Sequence, residues 1–198
     1  MTLSVATRPD CLPLEVLDLL AELNRRKPVW VELGLQTIHP ESAAYLCRGY
    51  ELPVFEEAVR ALRERGIEVI VHLILGIPGE TREDMIESAC YAGQWADGVK
   101  LHLLHILEGT DLAAEYVAGR VQPLEREEYF GLLEDCLRVL PPSVVIHRLT
   151  GDGDKRRLLA PLWSADKKAV LNAMRRRFEA DGLVQGSALG KGRRDGSF

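Results

Sequence analysis

The sequence predicts a parallel α/β protein, and three observations carry that prediction. Short apolar runs of strand character alternate with helical stretches along the chain, the pattern of βα units. The most apolar run, IEVIVHLIL (residues 67–75), reads as a central strand covered by helices. The run VWVELGLQT (residues 29–37) has two faces: Val29, Val31, Leu33 and Leu35 alternate with Trp30, Glu32, Gly34 and Gln36. A carboxylate and an amide near the C-terminal end of such a strand sit where a parallel barrel collects its binding and catalytic groups. The plainer alternative is an edge strand with its polar face in water.

Each element has a local reason. Leu3 to Thr7 is a strand-like run ended by Arg8-Pro9-Asp10. Pro13 suits the first turn of a helix whose buried stripe is Leu17, Leu20 and Leu23, and Lys27-Pro28 stops it. After the two-faced strand, Pro40 opens a short helix closed at Arg48-Gly49, and Pro53 opens a second with Val54, Ala58, Ala61 and Leu62 inward. The apolar strand runs into GIPGET (residues 76–81) and an acidic-started helix holding Met85, Ile86, Ala89 and Cys90. GVKLHLLHI (residues 98–106) is read as carrying a strand over 98–105. A helix with Leu112, Ala113 and Tyr116 follows, then one over 124–140, and Pro141-Pro142 leads to a last strand at 144–149. Ser164 is read as the cap of a final helix with Val170, Leu171, Met174 and Phe178 on its stripe. Residues 1–183 are thus one unit, and 184–198, rich in Gly and Ser, are expected to be a disordered tail.

Composition excludes more than it selects. The net charge of −5 over 198 residues argues against a nucleic-acid footprint across the whole surface. No apolar run approaches the ~20 residues needed to cross a bilayer, so a cytoplasmic protein without a membrane partner is expected. Cys11, Cys47, Cys90 and Cys136 are far apart with no CxxC, which suits free thiols rather than a metal knuckle or a disulfide framework.

Six phrases, LSVATRPDCLP, VWVELGLQT, RGYE, VHLILGIPGET, VKLHLLHILEGT and IHRLTGD, occur in the order found in one family. The chain resembles the YhcC-like radical S-adenosylmethionine (SAM) proteins, of the class that includes Elp3-like enzymes and coproporphyrinogen oxidases. The resemblance implies a partial TIM-type (β/α) barrel, and a [4Fe–4S] cluster on a CxxxCxxC-type motif that cleaves SAM. That motif is absent here. The chain is therefore expected to be the C-terminal portion of the architecture, from about its third strand, truncated and inactive alone.

By resemblance, Glu32 and Gln36 would contact the SAM ribose and amino-acid part, and Arg48 would pair with its carboxylate. Ile74 would pack on the adenine, with Gly76 and the rest of GIPGE beside it. Arg48 could instead complement its helix dipole, and GIPGE could be only a turn. For catalysis, the period of two puts His72, Lys100 and His102 on one interior face. That face makes them either a substrate pocket, with Lys100 for an anionic group, or a closed network such as Lys100 with Glu32.

Two other functions stay open. One is a divalent-metal barrel lyase or hydrolase using Asp10, Glu32, His102 and His105, although His105 contributes only if its strand ends first. The other is a non-catalytic assembly module or remnant. Its partner would be a separate N-terminal segment, or a second copy joined through an exposed strand edge. A small-molecule or RNA substrate is expected without being identified; RNA is suggested by Arg175, Arg176, Arg177, Lys167 and Lys168, which a solvated helix face explains better.

Overall fold

A computed structural model describes residues 2–151 and 153–189. Strand β1 (Leu3–Thr7) leads through a short 3-10 turn to helix α1 (Leu14–Arg26), then β2 (Val29–Gln36), α2 (Pro40–Tyr45), α3 (Leu52–Arg63) and β3 (Glu68–Leu75). Next come α4 (Arg82–Trp95), β4 (Gly98–Leu103), β5 (Ile106–Leu107), α5 (Asp111–Val117), α6 (Arg126–Val139), β6 (Val145–Arg148), β7 (Leu158–Ala160) and α7 (Lys167–Ala180).

The main sheet has the order β1-β2-β3-β4-β6, and every pair in it is parallel. Each strand is laid beside the one before it with no reversal of direction. That is the winding of a (β/α) barrel rather than of a doubly wound sheet with a switch point. Val31, Leu33 and Leu35 of β2, Val69, Val71 and Leu73 of β3, and Val99 and Leu101 of β4 pack against the helices. Phe55, Val59 and Leu62 of α3 and Ala89 and Ala92 of α4 meet them in one core. Burying each such Val, Leu or Phe side chain is worth about 1.5–3 kcal/mol, which fixes the register: a slip by one residue would put Glu32 into this core and Val31 outside.

Local chemistry explains the ends. Thr81 and Asp84 form a capping box at the start of α4: Asp84 N–H donates to Thr81 Oγ1 (3.2 Å) and Thr81 N–H donates to Asp84 Oδ2 (2.8 Å). The helix after Ser164 is capped by Asp166, which accepts from Ala169 N–H at 3.0 Å, while Ser164 sits in a 3-10 turn over Leu162–Ala165.

Two further expectations change. The strand read over 98–105 ends at Leu103, and Ile106–Leu107 pairs antiparallel with Leu158–Ala160 around a small second core of Ile106, Ala113, Val121 and Ala160. Of the expected disordered tail, residues 184–189 instead form turns tied to α6 and its exit. Gly186 N–H donates to Leu137 O, Ala188 N–H to Arg138 O, and the Gln185 amide to the carbonyls of Pro141 and Val144. The rest of that stretch, 190–198, lies outside the described residues.

Candidate substrate and cofactor site

The register of the sheet brings the candidate residues together in layers. Ala6 is opposite Glu32, Glu32 opposite Ile70, His72 opposite Lys100, and Ile74 opposite His102. The alternation turns all of these side chains away from the helix-packed core, so with Ser4 of β1 polar groups from four strands share one face.

Glu32 is the hub of that face. Its Oε1 accepts from Ser4 Oγ (2.7 Å), and its Oε2 accepts from His72 Nε2 (2.8 Å) and is ion-paired with Lys100 Nζ. Burial opposes the charge on Glu32. The bonds from Lys100, Ser4 and His72 and the Lys100 charge outweigh it, and its pKa falls to about 2. The ionised carboxylate makes His72 Nε2 the donor, and burial, which outweighs the pull of Glu32 toward the charged form, lowers the His72 pKa and favours the neutral imidazole. His102 stacks obliquely on His72, with ring centroids 5.1 Å apart. Burial, the neighbouring imidazole of His72 and the positive charges of Arg148 and Lys100 lower its pKa to about 4. Its Nε2 is buried without a hydrogen-bond partner.

A pocket of about 310 Å³ opens beside this network, lined by Gln36, His72, Ile74, His102, His105 and Gly151 among others. Because β4 ends at Leu103, the chain turns and His105 reaches the same pocket as His102 rather than the opposite face. Two backbone features shape the rim. Gln36 has φ +61°, and its amide lies over Gly34, where a Cβ would come within 2.5 Å of Gln36 Nε2. Gly76 has φ +91°, and a Cβ there would press on Leu124 at 3.1 Å.

The other expected residues do different work. Arg48 is only 8 % exposed, and its guanidinium donates to the carbonyls of Leu35 (3.1 Å), Thr37 (2.7 Å) and Tyr50 (3.0 Å) while lying over the Tyr50 ring. It holds the exit of β2 and the loop before α3 together, and neither it nor Glu32 lines the pocket. Lys100 is spent on Glu32, so the closed-network alternative describes it. Asp10 is held by Arg8 through two bonds of 2.9 and 2.7 Å, and the set Asp10, Glu32, His102 and His105 does not converge as metal ligands among the described residues.

Cys11 and Cys47 are exposed, Cys90 is half-buried and Cys136 is buried, and no three of them converge. These residues do not fit a [4Fe–4S] cluster. Of the basic residues on α7, Arg175 is paired with Glu179, and Arg177 with Glu134 and Glu127.

The sequence reading missed a buried polar knot at the β2 exit. There Thr37 Oγ1 donates to Glu80 Oε1 (2.5 Å), Ile38 N–H donates to Ser88 Oγ (3.2 Å), and burial raises the Glu80 pKa. Only GIPGE, with a carboxylate after a tight turn, hinted at it.

Residues 1–91 match the family model described as the Radical SAM superfamily, and residues 96–180 match the one described as the Radical_SAM C-terminal domain. YtqA of Bacillus subtilis is 43% identical over 185 residues, covering 93% of this chain and 58% of that protein. YhcC of Escherichia coli K12 is 38% identical over 191 residues, covering 96% and 62%. The chain thus spans about three-fifths of the length of these curated relatives. Among solved structures, Methanocaldococcus infernus Elp3 with an N-terminal deletion superposes with a TM-score of 0.74 over 93% of this chain and 43% of that one. At 22% identity that likeness speaks to the fold alone. No helix among the described residues is long and apolar enough to cross a membrane. With two adjoining superfamily matches, these relatives and a partial (β/α) barrel, the chain belongs to the radical SAM superfamily.

Proposed function

We propose that this chain is the SAM- and substrate-binding portion of a radical SAM enzyme. The observation that carries the reading is the pocket at the C-terminal ends of β2, β3 and β4. It combines apolar walls, an amide in a fixed left-handed conformation and imidazoles held neutral. Gln36 and Ile74 suit the polar and flat parts of SAM, with Gly76 letting the chain pass close by. His72 and His102 suit the substrate: neutral imidazoles on the pocket wall offer hydrogen bonds and exchange protons without adding charge. Since Lys100 is neutralised by Glu32, the pair positions His72 rather than drawing in an anion.

A pocket of about 310 Å³ favours a small molecule or a single extruded base over an extended RNA surface. The cluster that cleaves SAM in this superfamily has no ligand set here, so no step through it is assigned to these residues. The chain alone is expected to bind SAM without turning it over.

Calorimetric titration of the folded chain with SAM tests the reading. Gln36→Asn, which tolerates the left-handed backbone, should weaken binding at least fivefold. His102→Ala should leave it within twofold. Arg48→Ala should lower the urea midpoint through a stability loss of about 1–3 kcal/mol for the orphaned buried carbonyls, before it touches affinity directly. A folded chain that binds no SAM at millimolar concentration, or whose affinity ignores Gln36, would overturn the assignment.

A further inference from the structure

We propose that His39, Asp84 and Glu87 form a binding site for a divalent transition-metal ion, bridging the β2–α2 connection and the first turns of α4. None of the three lines the pocket described above. His39 Nε2 lies 4.0 Å from Asp84 Oδ1 and 4.0 Å from Glu87 Oε2, and the three ligand atoms are all within 4.8 Å of one another. Metal bonds to nitrogen and oxygen of about 2.0–2.2 Å separate two ligand atoms on one ion by roughly 3 to 4.4 Å. Side-chain rotation alone therefore closes the set.

Two of the ligands are already held from behind, as outer-shell bonds hold metal ligands elsewhere. Asp84 Oδ2 accepts from both the backbone N–H and the hydroxyl of Thr81, each at 2.8 Å, which keeps the carboxylate ionised and leaves Oδ1 turned toward His39. The backbone of His39 is fixed by its N–H donating to Thr37 Oγ1 at 3.1 Å, itself part of the Glu80 knot. Glu87 stands three residues after Asp84 on the same face of α4 and is the adaptable third arm.

In the metal-free chain His39 Nε2–H donates to the Asp84 carbonyl at 2.9 Å. Coordination requires the imidazole to carry its proton on Nδ1 instead. The ion then takes the place of that proton as the link between the same two segments. One imidazole nitrogen with two carboxylate oxygens suits zinc, manganese, iron, cobalt or nickel rather than magnesium or calcium. Two negative ligands balance a dication, and water fills the remaining positions.

The test is calorimetric titration of the full chain with Zn²⁺, run beside Mg²⁺, together with Mn²⁺ broadening of the imidazole proton resonances. The expected result is one tightly bound Zn²⁺ per chain, with Mg²⁺ at least a hundredfold weaker. His39→Ala and Glu87→Gln should each lower Zn²⁺ affinity tenfold or more, and Mn²⁺ should broaden the His39 signal before those of His72, His102 and His105. Glu87 is exposed, so Glu87→Gln leaves the fold intact and decides the matter even if His39→Ala is unstable. Zn²⁺ affinity unchanged in Glu87→Gln would overturn the site. So would Mg²⁺ binding as tightly as Zn²⁺, the mark of diffuse attraction to the acidic start of α4, or first broadening at another histidine.

Discussion

Glu32 shows how one side chain organises a face. It accepts from a serine, a histidine and a lysine on three neighbouring strands, and it does so as a carboxylate. Its folded pKa of about 2 lies below the ordinary 4.5. Its stabilisation is therefore present above pH 4.5 and is lost as pH falls toward 2. His102 is also depressed, from 6.5 to about 4, but as a base. The unfolded chain takes up that proton first, so its contribution is present above pH 6.5 and is lost between 6.5 and 4. Urea midpoints measured from pH 7 to pH 3 should accordingly fall in two limbs. His102→Gln should flatten the upper limb and Glu32→Gln the lower one. A single acid transition unmoved by either substitution would contradict the charge assignment of the network.

Among the elements, β1 is the one whose sequence and position conflict. LSVAT is apolar enough for a central strand, yet β1 stands at the end of the sheet with Leu3 43 % exposed and only β2 beside it. An unpaired, partly apolar strand edge is a template for pairing with another chain. Sedimentation velocity should show concentration-dependent self-association of the isolated chain, and Leu3→Lys, which places a charge on that edge, should shift the distribution toward monomer. A chain monomeric at all concentrations would show that the edge is covered in some other way. By contrast β3, with neighbours on both sides, is apolar between Glu68 and Leu75 except at His72, as its central position demands.

For the whole molecule, the separation of the four thiols is the governing fact. Cys136 lies in the core of α6, with burial raising its pKa to about 12, so it stays a thiol rather than a metal-ligating thiolate. Cys11 and Cys47 are on the surface, and two thiolates cannot hold a cluster that needs three. Anaerobic reconstitution with iron and sulfide should leave well under four irons per chain and no reducible cluster signal, and SAM cleavage by the chain alone should be undetectable. Four irons per chain with such a signal would mean that cysteines this far apart are brought together by a rearrangement of the fold.

The sequence by itself determined the strands and their faces. A period of two in VWVELGLQT and the mostly apolar run before GIPGE placed β2 and β3 within a residue, because side-chain alternation and burial are local properties of a strand. The same periodicity put Glu32, His72, Lys100 and His102 on one face. It could not say whether those groups would pair with each other or wait for a ligand, since that depends on register. His72 meets Lys100 across β3 and β4 only because Ile70 pairs with Gly98. The ion pair of Lys100 with Glu32, the donation of Arg48 to three backbone carbonyls and the turn of His105 into the pocket of His102 were likewise decided by tertiary structure. So was the meeting of His39 with Asp84 and Glu87, residues more than forty positions apart. The reason is common to all four: sequence spacing fixes which way a side chain leaves its own element, and only packing between elements fixes what it finds there.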